Sequence, residues 1–403
     1  MAEIVELAMV RRASTGDATA PRVPTEAVHV DGAKLPLSSI DIADWRALAS
    51  RAIEPNGYYL PDWELAVNAT APGRTDASAL AAWSGDRLIG LLPAVPLWRA
   101  AKIPLPALAS AHPYGTLCTP LLDRDEAEDA AQRLLETARE NGARALLLRE
   151  VALDGATVKA LNNVLRGDGL HPRVLNRHLR ASLDATRDAD ELLREALSGK
   201  KLKELRRQRQ RLSEQGEVAF DIARSPQQVA AALEVFLKLE AGGWKGARGT
   251  ALAQVEGDAA FIRRAAPKLA ETGHCEIVTL RAGDTPVAAG IVVRHQTRAF
   301  FFKIGVDERF AKFSPGVQLT LDLTRHLCAD PLIASADSTA APDHPMINPI
   351  WRGRFAIGDV LVPLRPNDPV VALIHAALAA RQFAREAARG MVHAIRKLRS
   401  KLR

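Results

Sequence analysis

The stretch HCEIVTLR (His274–Arg281), AGDT, PVAAGIVVR (Pro286–Arg294), HQT, RAFFFKIG (Arg298–Gly305) decides the fold. Three apolar runs follow one another across short polar breaks, the first around Gly283-Asp284, and this predicts three consecutive strands in an antiparallel meander. Working outward, Glu217–Ala223 reads as a strand and Ser225-Pro226 as the start of a helix to about Glu240, with Ser as cap and Pro at the first helical position. A helix over 257–272 stops at Gly273. On the other side Ser314-Pro315-Gly316 opens a helix to about Ala329, Leu332–Ala336 is a strand, 344–354 a short helix and Ile357–Leu364 a strand.

The first half spells a similar order. Residues 41–53 and 57–70 read as helices, 78–84 and 87–97 as strands paired around Gly85-Asp86, and 115–122 as a further strand. A helix over 124–141 is entered through Asp123 and ended by Asn141-Gly142, then Ala143–Val151 is a buried strand, 154–168 a helix and 171–183 a strand. The fold class is therefore mixed α/β (α+β) with a largely antiparallel meander in each half, not an alternating doubly wound sheet. The expected divisions are a mobile leader at 1–27, domains at 28–183 and 184–366, and a basic amphipathic helical tail at 367–403.

At 403 residues, two cores are more natural than one. The apolar fraction of 47% against 25% charged residues excludes wholesale disorder and collagen-like chains. Ile103–Leu122 is uncharged and long enough to span a bilayer, but four prolines make it loop and strand. Without a signal-like start, the expected location is cytoplasmic, with the tail allowing peripheral membrane contact. Three scattered cysteines suggest neither disulfides nor a zinc site, and no metal is expected. The net charge of +7 is not a general nucleic-acid signal: residues 381–403 hold eight basic residues against Glu386, so the rest of the chain is neutral. A second basic run lies at 200–211, where Lys200, Lys201, Lys203, Arg206, Arg207, Arg209 and Arg211 face a lone Glu204. It is either a solvated face or an anion site, and Lys203 and Arg207 are the substrate-binding candidates.

A family likeness rests on particular strings. They are Leu197-Ser198-Gly199-Lys200-Lys201 with Leu205-Arg206-Arg207, Glu240-Ala241-Gly242-Gly243-Trp244-Lys245-Gly246 with Gly249-Thr250-Ala251, Phe301 to Glu308, Phe313-Ser314-Pro315-Gly316, and Asp337 with Asp343-His344-Pro345-Met346-Ile347 and Trp351. The element order resembles the GNAT acyltransferase fold in tandem. The second half is similar to the CelD/BcsL-type (BioF-like) acetyltransferase branch, itself related to the FemAB peptidyltransferases. The resemblance implies acetyl-CoA or another acyl-CoA as cosubstrate, seated near Ile304, Gly305, Lys312, Ser314, Gly316 and Val317. Where such enzymes carry a glycine-rich phosphate loop, this chain has Arg309 to Gly316, with one glycine and a proline that removes a backbone donor.

The chemistry of the residue types points the same way. Lys303, flanked by Phe301 and Phe302, must reach a cleft or find a partner, since an isolated buried charge is costly. Asp307 and Glu308 could pair it or simply face solvent. Glu240 beside Trp244 and Lys245 is a general-base candidate, or a helix-end carboxylate next to a packing indole. His344 has a pKa suited to base work, and Asp337 ends the strand 332–336. Glu240, Lys303, Asp337 and His344 are thus the catalytic candidates, and Trp244 and Lys245 join Lys203 and Arg207 on the substrate side. No GxSxG, HExxH or Walker loop occurs, so hydrolase and NTPase chemistry is disfavoured.

The expected function is acyl-CoA-dependent transfer, in which an acceptor amine or hydroxyl attacks the thioester directly. The acceptor is a small molecule or saccharide, and the likeness implies a cell-envelope or exopolysaccharide precursor. Two alternatives are FemAB-like aminoacyl transfer from charged tRNA and a degenerate scaffold in polysaccharide assembly. In the tail, Val370, Leu373, Ala377, Ala380, Ala384, Ala388, Met391, Ile395, Leu398 and Leu402 recur at intervals of three and four, a stripe suited to packing or to an anionic membrane surface.

Overall fold

A computed structural model describes residues 35–401, with side chains through 388 and at Met391. The leader expected at 1–27 lies outside the described residues. The first half contributes β1 (Leu35–Pro36), β2 (Ser78–Ser84), β3 (Arg87–Pro96), β4 (Ala107–Ser110), β5 (Leu121–Leu122), β6 (Ala145–Ala152) and β7 (Arg173–Asp184). The second contributes β8 (Val218–Ala223), β9 (Cys275–Ala282), β10 (Thr285–His295), β11 (Arg298–Val306), β12 (Ser335–Asp337) and β13 (Gly353–Pro363). All thirteen join one sheet in the order β1-β2-β3-β4-β6-β13-β7-β12-β11-β10-β9-β8, with β5 hydrogen-bonded to β3.

The meander forms because alternation and turn chemistry agree. β9, β10 and β11 pair antiparallel in sequence order, and the first turn uses Gly283 at φ +57°, a conformation other residues adopt only with strain. Gly85 at φ +61° does the same between β2 and β3. Along β10, Ala289, Ile291 and Val293 face one core while Ala288 and Val292 face the other, so the strand is apolar on both sides and buried on both sides.

The two halves exchange their last strands. β13, from the second half, lies between β6 and β7, and β7, from the first half, lies between β13 and β12, every one of these contacts antiparallel. Each half thereby covers the edge that the other would leave open.

The helix Pro226–Gly242 starts in a capping box, Ser225 with Gln228, and buries Val229, Leu233, Phe236 and Leu237 on one stripe. Glu240 is the next position on that stripe, which is why a carboxylate points inward. The helix Glu256–Glu271 lies beside it. The helix Pro315–Cys328 and the basic helix Gly199–Ser213 cover the opposite face.

Three sequence readings change. The strand expected at 115–122 shrinks to Leu121–Leu122, because the carbonyls of Leu117 and Thr119 accept from the Asn56 side chain instead of a neighbouring strand. A strand at 107–110 precedes it. The helix expected at 344–354 is a run of turns: Pro345 and Pro349 each lack an N–H and exclude helical continuation. The tail helix runs Pro369–Lys401, but its buried side is Val371 and Ile374 with Val370, Ala377 and Leu378 against them, whereas Leu373 and Met391 of the expected stripe are exposed. Among the described residues no helix is long and apolar enough to cross a membrane.

Candidate active site

β11 and β12 run parallel for only three pairs, Arg298 with Ser335, Ala299 with Ala336 and Phe300 with Asp337. Beyond Asp337 the chain turns at Thr339, held at φ +50°, and its hydroxyl donates to the Phe301 carbonyl at 2.6 Å. The two backbones separate into a wedge, and the cleft in it, of about 120 Å³, is lined by Lys245, Lys303, Ile304, Thr339, His344 and Met346 among others.

Charge in this wedge is organised by Glu240. Its carboxylate is fully buried; Oε1 accepts from Lys245 Nζ at 3.1 Å and Lys303 Nζ at 3.4 Å, and Oε2 accepts from the Leu252 N–H at 2.9 Å. Lys245 also donates to the Ile304 carbonyl at 3.0 Å. One buried carboxylate thus holds two ammoniums side by side at the cleft wall. Burial depresses the Lys245 pKa, with Glu240 opposing the shift and the Lys303 charge adding to it. Lys303 Nζ also sits 5.9 Å from the Tyr114 ring and 5.7 Å from that of Phe302. The expectation of a partnered cleft lysine matches this arrangement.

His344 faces the same cleft, its Nδ1 accepting long contacts from the Met346 and Ile347 N–H groups at 3.4 and 3.5 Å. Burial first, and then the Lys245 charge, lower its pKa, so the ring is neutral at neutral pH. Asp337 sits deeper: its Oδ2 accepts from Arg180 Nη2 at 2.6 Å and its Oδ1 from the Thr339 N–H at 2.8 Å. Arg180, only 1% exposed, also donates to the Thr116 carbonyl and hydroxyl at 2.7 Å. This ion pair joins β7 to β12, and hence one half to the other.

The remaining candidates are spread around the rim. Gly305 packs against the helix Pro226–Gly242, where a Cβ would lie 2.8 Å from the Glu240 nitrogen. Ser314 adopts φ +53° before the helix Pro315–Cys328 and makes no side-chain cap, and Gly316 is buried, a Cβ there lying 3.1 Å from Met346 Sδ. Val317 packs partly buried behind it. Lys312 is exposed, with its Nζ 4.9 Å from the Phe313 ring. Trp244 is half-exposed and its N–H donates to Glu308 Oε1. Lys203 and Arg207 are exposed on the basic helix, outside the wedge lining, and Arg207 pairs with Glu204 at 2.6 Å. Glu240, Lys245, Lys303 and His344 therefore come together, and Asp337 supports them from below.

Thr339, lining the wedge, and Tyr114 and Arg180 beside it were not selected by sequence reasoning. Tyr114 donates to Asp258 Oδ2 at 2.7 Å and stacks on Phe261. Its one signal was its place in the polar segment His112-Pro113-Tyr114-Gly115; Arg180, inside an ordinary strand pattern, had none.

Residues 199–343 match the family described as acetyltransferase (GNAT) domain. Among solved structures, the chain is similar to FemX at 12% identity and TM-score 0.54, covering 83% of this chain and 98% of that one. It is also similar to the C-terminal domain of a protein from Agrobacterium fabrum assigned as a lysylphosphatidylglycerol synthetase, at 14% identity and TM-score 0.52, covering 84% and 95%. These likenesses show the fold. No curated protein sequence matches the chain.

Proposed function

We propose that this protein transfers an acyl group from an acyl-CoA, acetyl-CoA in the first instance, to an acceptor amine or hydroxyl that enters the wedge. The observation that carries the reading is the pair of ammoniums, Lys245 and Lys303, held on one buried carboxylate where β11 and β12 part. The acceptor nitrogen or oxygen attacks the thioester carbonyl, the C–S bond breaks, and the thiolate leaves as the acceptor gives up a proton. Lys303, with Lys245 behind it, stabilises the oxyanion that forms on the carbonyl oxygen, electrostatic work done best by preorganised charge in a dry site. His344, with Nδ1 taken by the Met346 and Ile347 N–H groups and the proton of its neutral ring therefore on Nε2, is a donor at the cleft wall, and the acceptor proton passes to the departing thiolate. Glu240 is a positioning residue: with both oxygens engaged, it fixes the two lysines.

The wedge suits the narrow arm of a thioester, but the phosphate end differs from a glycine-loop design. Pro315 removes one donor and Met346 crowds Gly316. Side-chain cations take over that task in this reading. The exposed Lys312 lies on the segment Glu308–Phe313, against which the basic helix with Lys203 and Arg207 packs. The CelD/BcsL-type likeness supports a saccharide or envelope precursor as acceptor, and the basic tail, with exposed Leu373, Phe383 and Met391, supports docking on anionic membrane. The FemAB-like alternative would put the basic helix against tRNA backbone.

Calorimetric titration of the full chain with acetyl-CoA, followed by thiol release in the presence of candidate acceptors, tests the proposal. Micromolar binding with acceptor-dependent thiol release is expected; absence of binding at millimolar acetyl-CoA overturns it.

A further inference from the structure

A second cavity, of about 230 Å³, lies in the first half, lined by Arg74, Arg99, Arg149 and His112 with Thr75 and Val95. No carboxylate lines it. Arg99 is held at its rim by Asp76, through Oδ2 at 3.2 Å, and by the Thr75 and Asp76 carbonyls. Arg74 gives Nη1 to the Pro72 carbonyl at 3.2 Å and lies 4.3 Å from the Tyr114 ring, while its buried Nε has no partner. Arg149 makes no ion pair among the described residues. The adjacent Glu150 is set at φ +47° and lines a separate cleft with His178 and Arg180.

His112 completes the pattern. Its Nδ1 accepts from the Tyr114 N–H at 3.1 Å, so in the neutral ring the proton is on Nε2. Burial, and then the charges of Arg149 and Arg74, push its pKa down to about 3. The cavity therefore offers guanidinium and imidazole donors and no side-chain carboxylate, and the three guanidiniums repel one another unless an anion sits between them.

We infer that this cavity is a binding site for a phosphoryl group, held by Arg74 and Arg149 with Arg99 and His112 as further donors. Tyr114 connects it to the wedge: Arg74 lies over its ring, which is also 5.9 Å from Lys303 Nζ. The phosphoryl group belongs to the acceptor, anchored on one side of Tyr114 with its nucleophile on the other. Only that orientation rests on the proposed acyl transfer; binding itself does not.

The test has a soluble arm and a lipid arm, both with the full chain. Inorganic pyrophosphate is titrated calorimetrically, and vesicles of phosphatidylcholine with or without phosphatidic acid are co-sedimented. Arg74→Gln and Arg149→Gln are expected to weaken one probe at least about tenfold, since each removes a charged fork from the anion. A loss confined to pyrophosphate marks a water-soluble phosphorylated acceptor, and a loss confined to vesicles marks a lipid phosphate. If both variants treat both probes as the wild type does, the inference is wrong. Should Arg149→Gln lose its cooperative melt, Arg149→Lys, which keeps the charge and loses the fork, takes its place. Lys303→Ala separates the two readings: it is expected to keep the Arg-dependent phosphate binding while losing thiol release. Normal turnover in Lys303→Ala sinks the acyl-transfer mechanism and leaves the anion site standing.

Discussion

Each half contains a parallel strand pair that comes apart, and the two are bordered differently. In the first half β4 and β6 pair at Ala107 with Ala145, Leu108 with Leu146 and Ala109 with Leu147. The gap beyond is crossed by hydrogen bonds: the Arg149 N–H donates to Ser110 Oγ at 2.9 Å, the Cys118 N–H to the Glu150 carbonyl at 3.1 Å, and Leu117, Cys118 and Thr119 are buried on it. In the second half the corresponding gap between β11 and β12 is crossed by the Thr339 hydroxyl donating to the Phe301 carbonyl at 2.6 Å and is bordered by Lys245, Lys303 and His344. The same topology thus leaves one gap beside a cavity bordered by His112 and Arg149 and the other beside a cleft bordered by lysines. What differs is the set of side chains at the border.

The comparison predicts where substitutions hurt. The largest effect belongs to Asp337→Ala, which strands the buried Arg180 guanidinium between the halves. Loss of one partner of a buried pair costs about 3–5 kcal/mol, so chemical denaturation should show a loss of that size. A loss below about 1 kcal/mol would mean the ion pair does not fasten the halves.

Next comes the wedge. Lys303→Ala should cut turnover about 10²- to 10³-fold, comparable with loss of one oxyanion donor, with little change in Tm because Glu240 keeps Lys245 and the Leu252 N–H as partners. Steady-state thiol release checks it, and unchanged kcat would remove Lys303 from the reaction.

A third expectation concerns pH. His295 on β10 is buried; its Nδ1 accepts from the Asn56 N–H at 2.8 Å and its Nε2 lies 2.9 Å from the Ala49 carbonyl, so the neutral ring ties β10 to the first half. Burial pushes its pKa down to about 4. The unfolded chain takes up this proton below about 6.5 and the folded chain only near 4, so stability falls as pH drops through that window. The loss is on the order of 2–3 kcal/mol by pH 4. Urea melts across pH 4–7 should give a shallower slope for His295→Gln; an identical slope would exclude the coupling.

The smallest effect is at Lys203→Glu and Arg207→Glu. Both residues are exposed, so stability should move by no more than about 0.5 kcal/mol. Acetyl-CoA affinity should fall and grow less salt-dependent, because the cations screened by salt are gone. Affinity unchanged across a salt series returns this helix to a solvated face.

Much of the framework was readable one segment at a time. The β9–β10–β11 meander follows from apolar runs of strand length and a glycine turn, and the capping box at Ser225 announces its helix. Glu240 continues the stripe of Val229, Leu233 and Phe236, a burial signal that the reading as a base or a helix-end carboxylate did not use. The candidate site was legible only in part. Lys303 needed a partner, but nothing in the spacing of residues 240 and 303 says that one carboxylate serves both lysines. The turns at 344–354 were missed because periodicity was read across two prolines, and the tail stripe holds only in part, Val370 and Ala377 packing while Leu373 is exposed, because alanines fit either side of a helix.

The amino-acid order by itself determined the local conformations and the two-fold repetition of strands and helices, since turn chemistry, caps and periodicity act over a few residues. Tertiary structure alone decided that β7 and β13 trade places, that Arg180 meets Asp337, that Lys245 and Lys303 share one carboxylate, and that Arg74, Arg99 and Arg149 surround a single cavity. Those outcomes depend on covering strand edges and compensating buried charge between residues up to about two hundred positions apart. The energies involved belong to the assembled sheet and to no segment within it.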